Sequence, residues 1–316
     1  MNPLYVLRRL GFLALTLLLS SVIIFLVTRW LPGDVARVIL GREAGEPALA
    51  ELREELGLND PLYVQYVRWL RDFVVGDWGR SFSTGSQIRP LVGARMRNSL
   101  RLALVTLIVS VPLAVLLGVI AGLNEETFID SLISITTLSV VGLPEFVTGL
   151  ILIQVFAFGL NILPASSSVP PDVSFADALP KLILPSLTAT LVLLAYVARL
   201  TRAGVIEEVK KSYVRTATLK GLPYRTVVFK HVLRNALMPT ITVVAISFGW
   251  LISGLVVVEN VFNYPGLGRL LVFAIGRNDL PLIQAVVMVT VVGFASANLV
   301  ADLLYAFLNP RVSLGE

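Results

Sequence analysis

The sequence predicts an all-α polytopic membrane protein with six transmembrane helices, on three observations. Hydrophobic residues make up 56% of the 316 and charged residues only 15%, a balance that a water-facing surface does not support. Uncharged apolar runs long enough to cross a hydrocarbon layer of about 30 Å recur along the chain. Lysine and arginine gather at the ends of those runs, where they orient a membrane protein. The net charge of +5 would raise nucleic acid as a partner for a soluble chain, but that placement argues against it. With no cysteine and a single histidine, a disulfide framework, a thiolate site and a histidine-rich metal site are all excluded, and no metal is expected.

Arg8 and Arg9 precede the first uncharged run, residues 10–28. Arg29, Trp30 and Pro32 follow it in place of a small-residue cleavage site, so it reads as a retained span within an N-terminal segment of residues 1–32. Residues 33–98 form the one long polar segment and read as an extracytoplasmic helical region. Within it ALAELREEL (48–56) is one amphipathic helix, and residues 61–75 are a second, apolar at Leu62, Tyr66, Trp69, Leu70 and Phe73. Such helices either cover the mouth of the bundle or meet an external partner. Residues 99–316 hold the remaining spans. The second run, 102–124, has Pro112 near its centre as an expected kink, and a short acidic loop with Glu125, Glu126 and Asp130 follows.

Residues 131–163 are too many for one perpendicular span, and Pro144-Glu145 divides them. The expectation is one tilted, kinked helix or a helix with a cytoplasmic extension. An acid inside a membrane is a functional candidate, so Glu145 either lines a pathway or pairs near an interface. Residues 164–181 read as an outer loop, residues 182–198 as the fourth span, and 235–258 as the fifth, with Gly249 and Gly254 permitting close helix packing. Glu259 and Asn260 end that span, and Pro265, Gly266 and Gly268 give a turn-rich loop able to fold back on the bundle mouth. Residues 280–301 are the sixth run, with Asp302 and Arg311 expected at the inner surface as anchors or as an ion pair. Polar or aromatic residues of the third and fifth spans, Glu145, Gln154, Ser247, Trp250 and Ser253, are pathway candidates.

The most basic interruption lies between the fourth and fifth spans, at residues 203–236. Eight basic residues run from Arg202 to Arg234, opposed by Glu207 and Glu208, whereas the outer loop before them holds Lys181 alone. This side therefore faces the cytoplasm, and six spans place both termini there too. In YVRTATLKGL (213–222), Lys220, Gly221 and Pro223 form a helix stop: a basic last turn, a left-handed glycine and a breaker. A short helix ends at Lys220 and another begins at Pro223. A polybasic lipid-contacting loop is the alternative on charge alone.

RTATLKG followed by HVLRNALMP resembles the cytoplasmic loop of ATP-binding-cassette importer permeases of the oligopeptide/dipeptide family, in the form of the first (B-type) permease subunit. The generic pattern opens on Glu-Ala-Ala and closes on Ile-x-Leu-Pro; here Arg215, Thr216 and Ala217 open it, and His231, Leu233 and Arg234 stand at its close. LPGD (31–34), GLNDPLYVQYVRWL (57–70), GDWGRSF (76–82), LPEFVTGLILIQVFA (143–157), ENVFNYPGLGRL (259–270) and the closing NPR (309–311) resemble the same family in order. The resemblance implies the type I importer permease fold. It also implies a second homologous permease subunit, two ATP-binding subunits docked below, with Tyr213, Arg215, Thr216, Ala217, Lys220, Gly221 and Leu222 as the loop that seats this permease on its ATPase, and an extracytoplasmic substrate-binding protein. Glu259, Pro265, Gly266 and Gly268 become extracytoplasmic gate candidates.

No Gly-x-x-x-x-Gly-Lys-Ser/Thr stretch, serine elbow or His-Glu-x-x-His helix is present, so the chain is not expected to be an enzyme; the resemblance implies that ATP with Mg is held by partner subunits. Peptide transport across a bacterial or archaeal cytoplasmic membrane is the function implied; nickel, glutathione and sugar-phosphate conjugates remain open as cargo. An ion-gradient-driven carrier is the competing class, although no internal repeat is visible. A membrane anchor for a signalling complex is a third.

Overall fold

A computed structural model describes residues 3–30, 35–41, 43–55, 57–168 and 174–308. In order the helices are α1 (Pro3–Trp30), α2 (Val35–Leu40), α3 (Glu46–Glu55), α4 (Leu62–Val75), α5 (Ile88–Leu123), α6 (Phe128–Val141), α7 (Glu145–Leu152), α8 (Phe175–Val209), α9 (Ser212–Leu219), α10 (Tyr224–Thr226), α11 (Leu233–Ala236), α12 (Met238–Gly254), α13 (Val256–Val261), α14 (Leu267–Gly276) and α15 (Leu280–Leu308). Two wider π-helical stretches, Ile153–Gly159 and Val227–Val232, continue α7 and α10. Among the described residues the β pairing is one bridge, Arg80 with Gln87.

Four helices are singly long and apolar enough to cross a membrane (α1, α5, α8 and α15), and two bent pairs complete up to six spans. The third span departs from its expected form. It is neither one kinked helix nor a helix with an extension, but α6 and α7 bent by 103° at Gly142, Leu143 and Pro144. Proline cannot extend α6, and its own extended backbone caps α7 instead. The second bent pair turns by 48° between α11 and α12.

The expected outer loop 164–181 is shorter than anticipated, because α8 begins at Phe175 and includes Pro180, Pro185 and Lys181. Ser174 caps it, accepting from the Asp177 amide at 3.2 Å. Interior prolines persist in a membrane helix because neighbouring helices cover the freed carbonyls. Helix α5 runs unbroken across residue 98, where the external region was taken to end. Residues 31–34 and 309–311, and with them LPGD, NPR and Arg311, lie outside the described residues.

The core is the parallel pairing of α5 with α8. Gly118 and Gly122, one turn apart, let the backbones close: a Cβ on Gly118 would fall 2.6 Å from Thr201 Cβ, and one on Gly122 would fall 2.7 Å from Val205 Cβ. This small-x-x-x-small spacing is a membrane packing device. Around it Leu102, Ala114, Leu184, Leu193, Val197, Leu251 and Phe262 form the largest buried apolar cluster. Helices α1 and α15 lie antiparallel at one flank. Arg9 pairs with Asp302 at 3.0 Å near one end, and Gln284 Nε2 donates to Thr28 Oγ1 at 2.8 Å towards the other. The partner of Asp302 is thus Arg9.

Because Gly122 has no room for a side chain, Gly122→Ile should destabilise the purified protein by about 2–3 kcal/mol. Gly93→Ile, on a face with nothing within 4 Å of the added carbon, should leave the thermal midpoint unchanged in the same melting assay.

Candidate functional site

The basic interruption folds as a short helix on a side-chain seat. Val214 of α9 is buried with Val205 of α8, Val227 and Val232 of the π stretch and Ala236 of α11, and Ala217 and Tyr213 pack at the edge of this cluster. The opposite face of α9 and the turn after it, Arg215, Thr216, Lys220, Gly221 and Leu222, are exposed. Apolar positions three and four apart in a polar sequence therefore select one face for burial and leave the other exposed.

The helix stop forms as the residues dictate, one position early: α9 ends at Leu219 and Lys220 is its cap. Gly221 takes φ +78°. Its amide donates to Thr218 O at 3.0 Å, and the Leu222 amide donates to Ala217 O at 3.3 Å, the paired bonds of a Schellman close. Pro223, with φ −55° and ψ 134°, stands just before α10 rather than in its first turn.

Glu208, near the end of α8, fixes the angle between α8 and α9. Its carboxylate accepts from Tyr213 OH at 2.6 Å and from Lys211 Nζ. The Tyr213 oxygen in turn accepts from Asn235 Nδ2 at 3.4 Å. The bond to Glu208 holds the Lys211 amine above its ordinary range, while burial, reinforced by the bond to Glu208, raises the Tyr213 phenol. Glu207 and Glu208 are joined as counter-charges by the acidic loop after α5: Lys210 pairs with Glu125 at 2.9 Å, and Arg202 grips Asp130 through Nε at 2.5 Å and Nη2 at 2.6 Å. Asp130 is buried and also accepts from the Glu126 amide. Its role was not visible in sequence, since 72 residues separate it from Arg202.

At the far end of α12, ENVFNYPGLGRL folds back onto the first half of α5. Glu259 is 1% exposed. Its carboxylate accepts from Ser99 Oγ at 2.6 Å and from the Arg269 amide at 3.0 Å, while Ser99 Oγ accepts from the Leu267 amide at 2.8 Å. Tyr264 OH donates to Asn98 O at 2.8 Å, and Asn98 Nδ2 returns a bond to Pro265 O at 2.9 Å. A Cβ at Gly266 would fall inside the Glu259 carboxylate, and one at Gly268 would meet Val256 Cα at 2.6 Å. Burial pushes the Glu259 carboxyl up, against the Ser99 hydroxyl, the amides of Arg269 and Gly268 and the charge of Arg95. Nothing local marks Asn98 and Ser99 in the sequence.

Among the described residues the five pathway candidates share one hydrogen bond, from Ser253 to the backbone of Trp250 within the same helix, and no bond between side chains of the third and fifth spans gathers them. Ser247 Oγ donates to Val243 O at 2.8 Å, and Ser253 Oγ lies 3.3 Å from Gly249 O and Trp250 O. The Trp250 ring covers Gly254, while Gly249 faces Phe294, Ala297 and Asn298 of α15. Gln154 is exposed on the π stretch. Glu145 opens α7 at the 103° break, with Oε1 buried and without a hydrogen-bond partner among the described residues. Those residues contain no group of three His, Cys, Asp or Glu arranged to hold a metal.

An all-helical bundle of up to six spans, with a short exposed helix seated between the fourth and fifth, has the build of a membrane transport subunit. The chain belongs to the family described as binding-protein-dependent transport system inner membrane component, matched over residues 114–314, and the N-terminal component described for the same systems matches residues 3–118. It is 39% identical over 310 residues to a probable peptide ABC transporter permease, y4tP, of Sinorhizobium fredii, covering 98% of each chain. It is 38% identical over 308 residues to the glutathione transport system permease GsiC of Escherichia coli K12, again covering 98% of each, and GsiC of Salmonella paratyphi A matches equally. This is an ABC transporter permease subunit of the peptide/nickel-type family with the type I permease fold, and the ion-gradient carrier and signalling-anchor readings fall with that membership.

If Glu259 pins the folded-back loop, Glu259→Ala, which strands the Ser99 hydroxyl and the backbone amides, should lower stability by about 3 kcal/mol, and Ser99→Ala by about 1–2 kcal/mol. Thermal unfolding of the detergent-purified variants checks that order.

Proposed function

We propose that this chain is the first permease subunit of an importer for di- or oligopeptides, with both termini in the cytoplasm of a bacterial or archaeal cell. A second homologous permease completes the pathway. Two ATP-binding subunits, which carry ATP and Mg, dock below the permease pair, α9 seating this chain on its own ATPase, and an extracytoplasmic binding protein delivers the cargo. The permease relatives named for peptide and glutathione support this cargo class.

The observation that carries the reading is the two-sided build of α9. Its inner face is locked by Val214, Ala217 and the Tyr213–Glu208 bond. Its outer face presents Arg215, Thr216, Lys220 and Gly221, ringed by exposed Leu219, Leu222, Tyr224 and Phe229. Apolar groups set among basic ones make a protein-docking surface that solvent alone does not require. Closure of the ATP-binding subunits moves α9 as a rigid body, and α8 and α11, joined to it through the same buried cluster, follow. Movement at the inner surface then opens and closes the bundle against the Glu259 loop at the other end, and Glu145 at the break of the third span is the pathway residue this motion exposes. Two global states suffice, each stabilised by a different ligand.

Ala217→Arg forces a charge into the seat, and Gly221→Val imposes a β-branched residue on a left-handed backbone, a strain of about 1–3 kcal/mol. In proteoliposomes holding the assembled complex and its binding protein, both variants should keep basal ATP hydrolysis and lose most substrate uptake. Uptake by Gly221→Val at the unaltered rate would contradict rigid transmission. Mass spectrometry of ligand retained by the partner binding protein tests the cargo, with a peptide expected; a metal chelate or sugar conjugate would overturn that part alone.

A further inference from the structure

Helix α4 carries more apolar surface than its protein neighbours cover. At about 100° per residue, its apolar residues other than Val64 and Val75 fill one broad arc. Tyr66, Trp69 and Phe73 form half of that arc and pack against α1: the Phe25 ring meets Tyr66 at 5.5 Å and Trp69 at 5.9 Å, and Phe73 stacks on Trp78 at 5.1 Å. The other half is a stripe of Tyr63, Val67, Leu70 and Val74, within about 60° of one another on the same wheel. Tyr63, Val67 and Val74 are 72%, 61% and 75% exposed. The far side of the helix is polar, with Gln65 bonded to Leu58 O and Asp60 O, Arg68 paired with Asp60 at 2.9 Å and Arg71 with Asp72 at 2.8 Å.

Depth decides what covers the stripe. Tyr66 OH lies 2.9 Å from Ser21 Oγ, and Ser21 sits nine residues before Trp30, the last residue of α1, or about 13 Å along a helix axis. Neighbouring α1 residues at that level, Leu19 and Ile23, are exposed large hydrophobics on a membrane span. A tyrosine side chain reaches only about 6–7 Å from its Cα, a span set by ordinary covalent dimensions. Helix α4 is therefore held at the boundary of the apolar layer that α1 crosses, and is not suspended above it. We propose that α4 is an interfacial helix whose Tyr63, Val67, Leu70 and Val74 stripe is embedded in the phospholipid leaflet around the Trp30 end of α1. A helix with one apolar and one charged face lies in that plane with its apolar side sunk among acyl chains, and Arg68 and Arg71 reach the headgroups along their stems. The first external region is thereby a membrane-surface element that braces α1 from the side.

The chain has no cysteine, so single cysteines carrying a nitroxide at Val67, Val74, Arg68 and Arg71 can be read one at a time in the intact permease complex in phosphatidylcholine–phosphatidylglycerol liposomes. The labels at Val67 and Val74 should collide several-fold more with oxygen than with a water-soluble nickel chelate, and the labels at Arg68 and Arg71 the reverse. Nickel access equal at all four positions would overturn the proposal by placing α4 in water. Protection of the labels at Val67 and Val74 from both reagents would overturn it by placing them under another protein.

Discussion

A single carboxylate, that of Glu208, sets the angle at which α9 leaves α8. Tyr213 and Lys211 both donate to it from the turn that follows, and a charge-assisted bond of this kind is roughly twice as strong as a neutral one. Without it, the turn at residues 210 and 211 would be a swivel, and a push on α9 would be absorbed there. With it, and with Val214 buried among Val205, Val227, Val232 and Ala236, displacement of α9 is displacement of α8. The contact between α8 and α5 at Gly118 and Gly122 carries the displacement further, because two backbones in contact leave no soft side chains between them.

The ion pairs around this joint share a side of the molecule with the basic residues that define it. Arg202–Asp130 and Lys210–Glu125 draw the α5–α6 connection onto the base of α8, so the acidic loop belongs to the same mechanical unit as α9. The opposite end is organised by another acid. Glu259 organises a loop that folds back between α13 and α14, and its donors come from α5 and from the backbone of the first turn of α14. Helix α5 therefore contacts both ends of the machinery: Gly118 and Gly122 near one, Asn98 and Ser99 near the other.

Much of this was legible in the sequence, and the part that was not has a common cause. The apolar runs marked the spans, and Gly221 with Pro223 marked the end of α9 to within one residue, because helix stops are local. The amphipathic pattern of residues 61–75 likewise gave α4. What escaped were contacts between distant residues: Asp130 with Arg202, Ser99 with Glu259, Arg9 with Asp302. The 103° break of the third span escaped for a related reason. Pro144 marks a place where a helix must end, but the direction of the next helix is set by Gly149 packing on Val261 and Phe262, which no local pattern encodes. Proline misled at α8, where Pro180 was assigned to a loop although the membrane bundle holds it, like Pro185, inside a helix.

Rigidity of the joint between α8 and α9 is the claim on which the account of transmission rests, and a distance across it is the direct test. Nitroxides at Tyr196 on α8 and Leu219 on α9, both exposed, report that distance by pulsed electron–electron resonance in the assembled transporter with and without trapped ATP. The account predicts one narrow distribution whose mean is unchanged by nucleotide. A shift of several ångströms, or a distribution that broadens when ATP binds, would show that α9 turns on α8 and would contradict it.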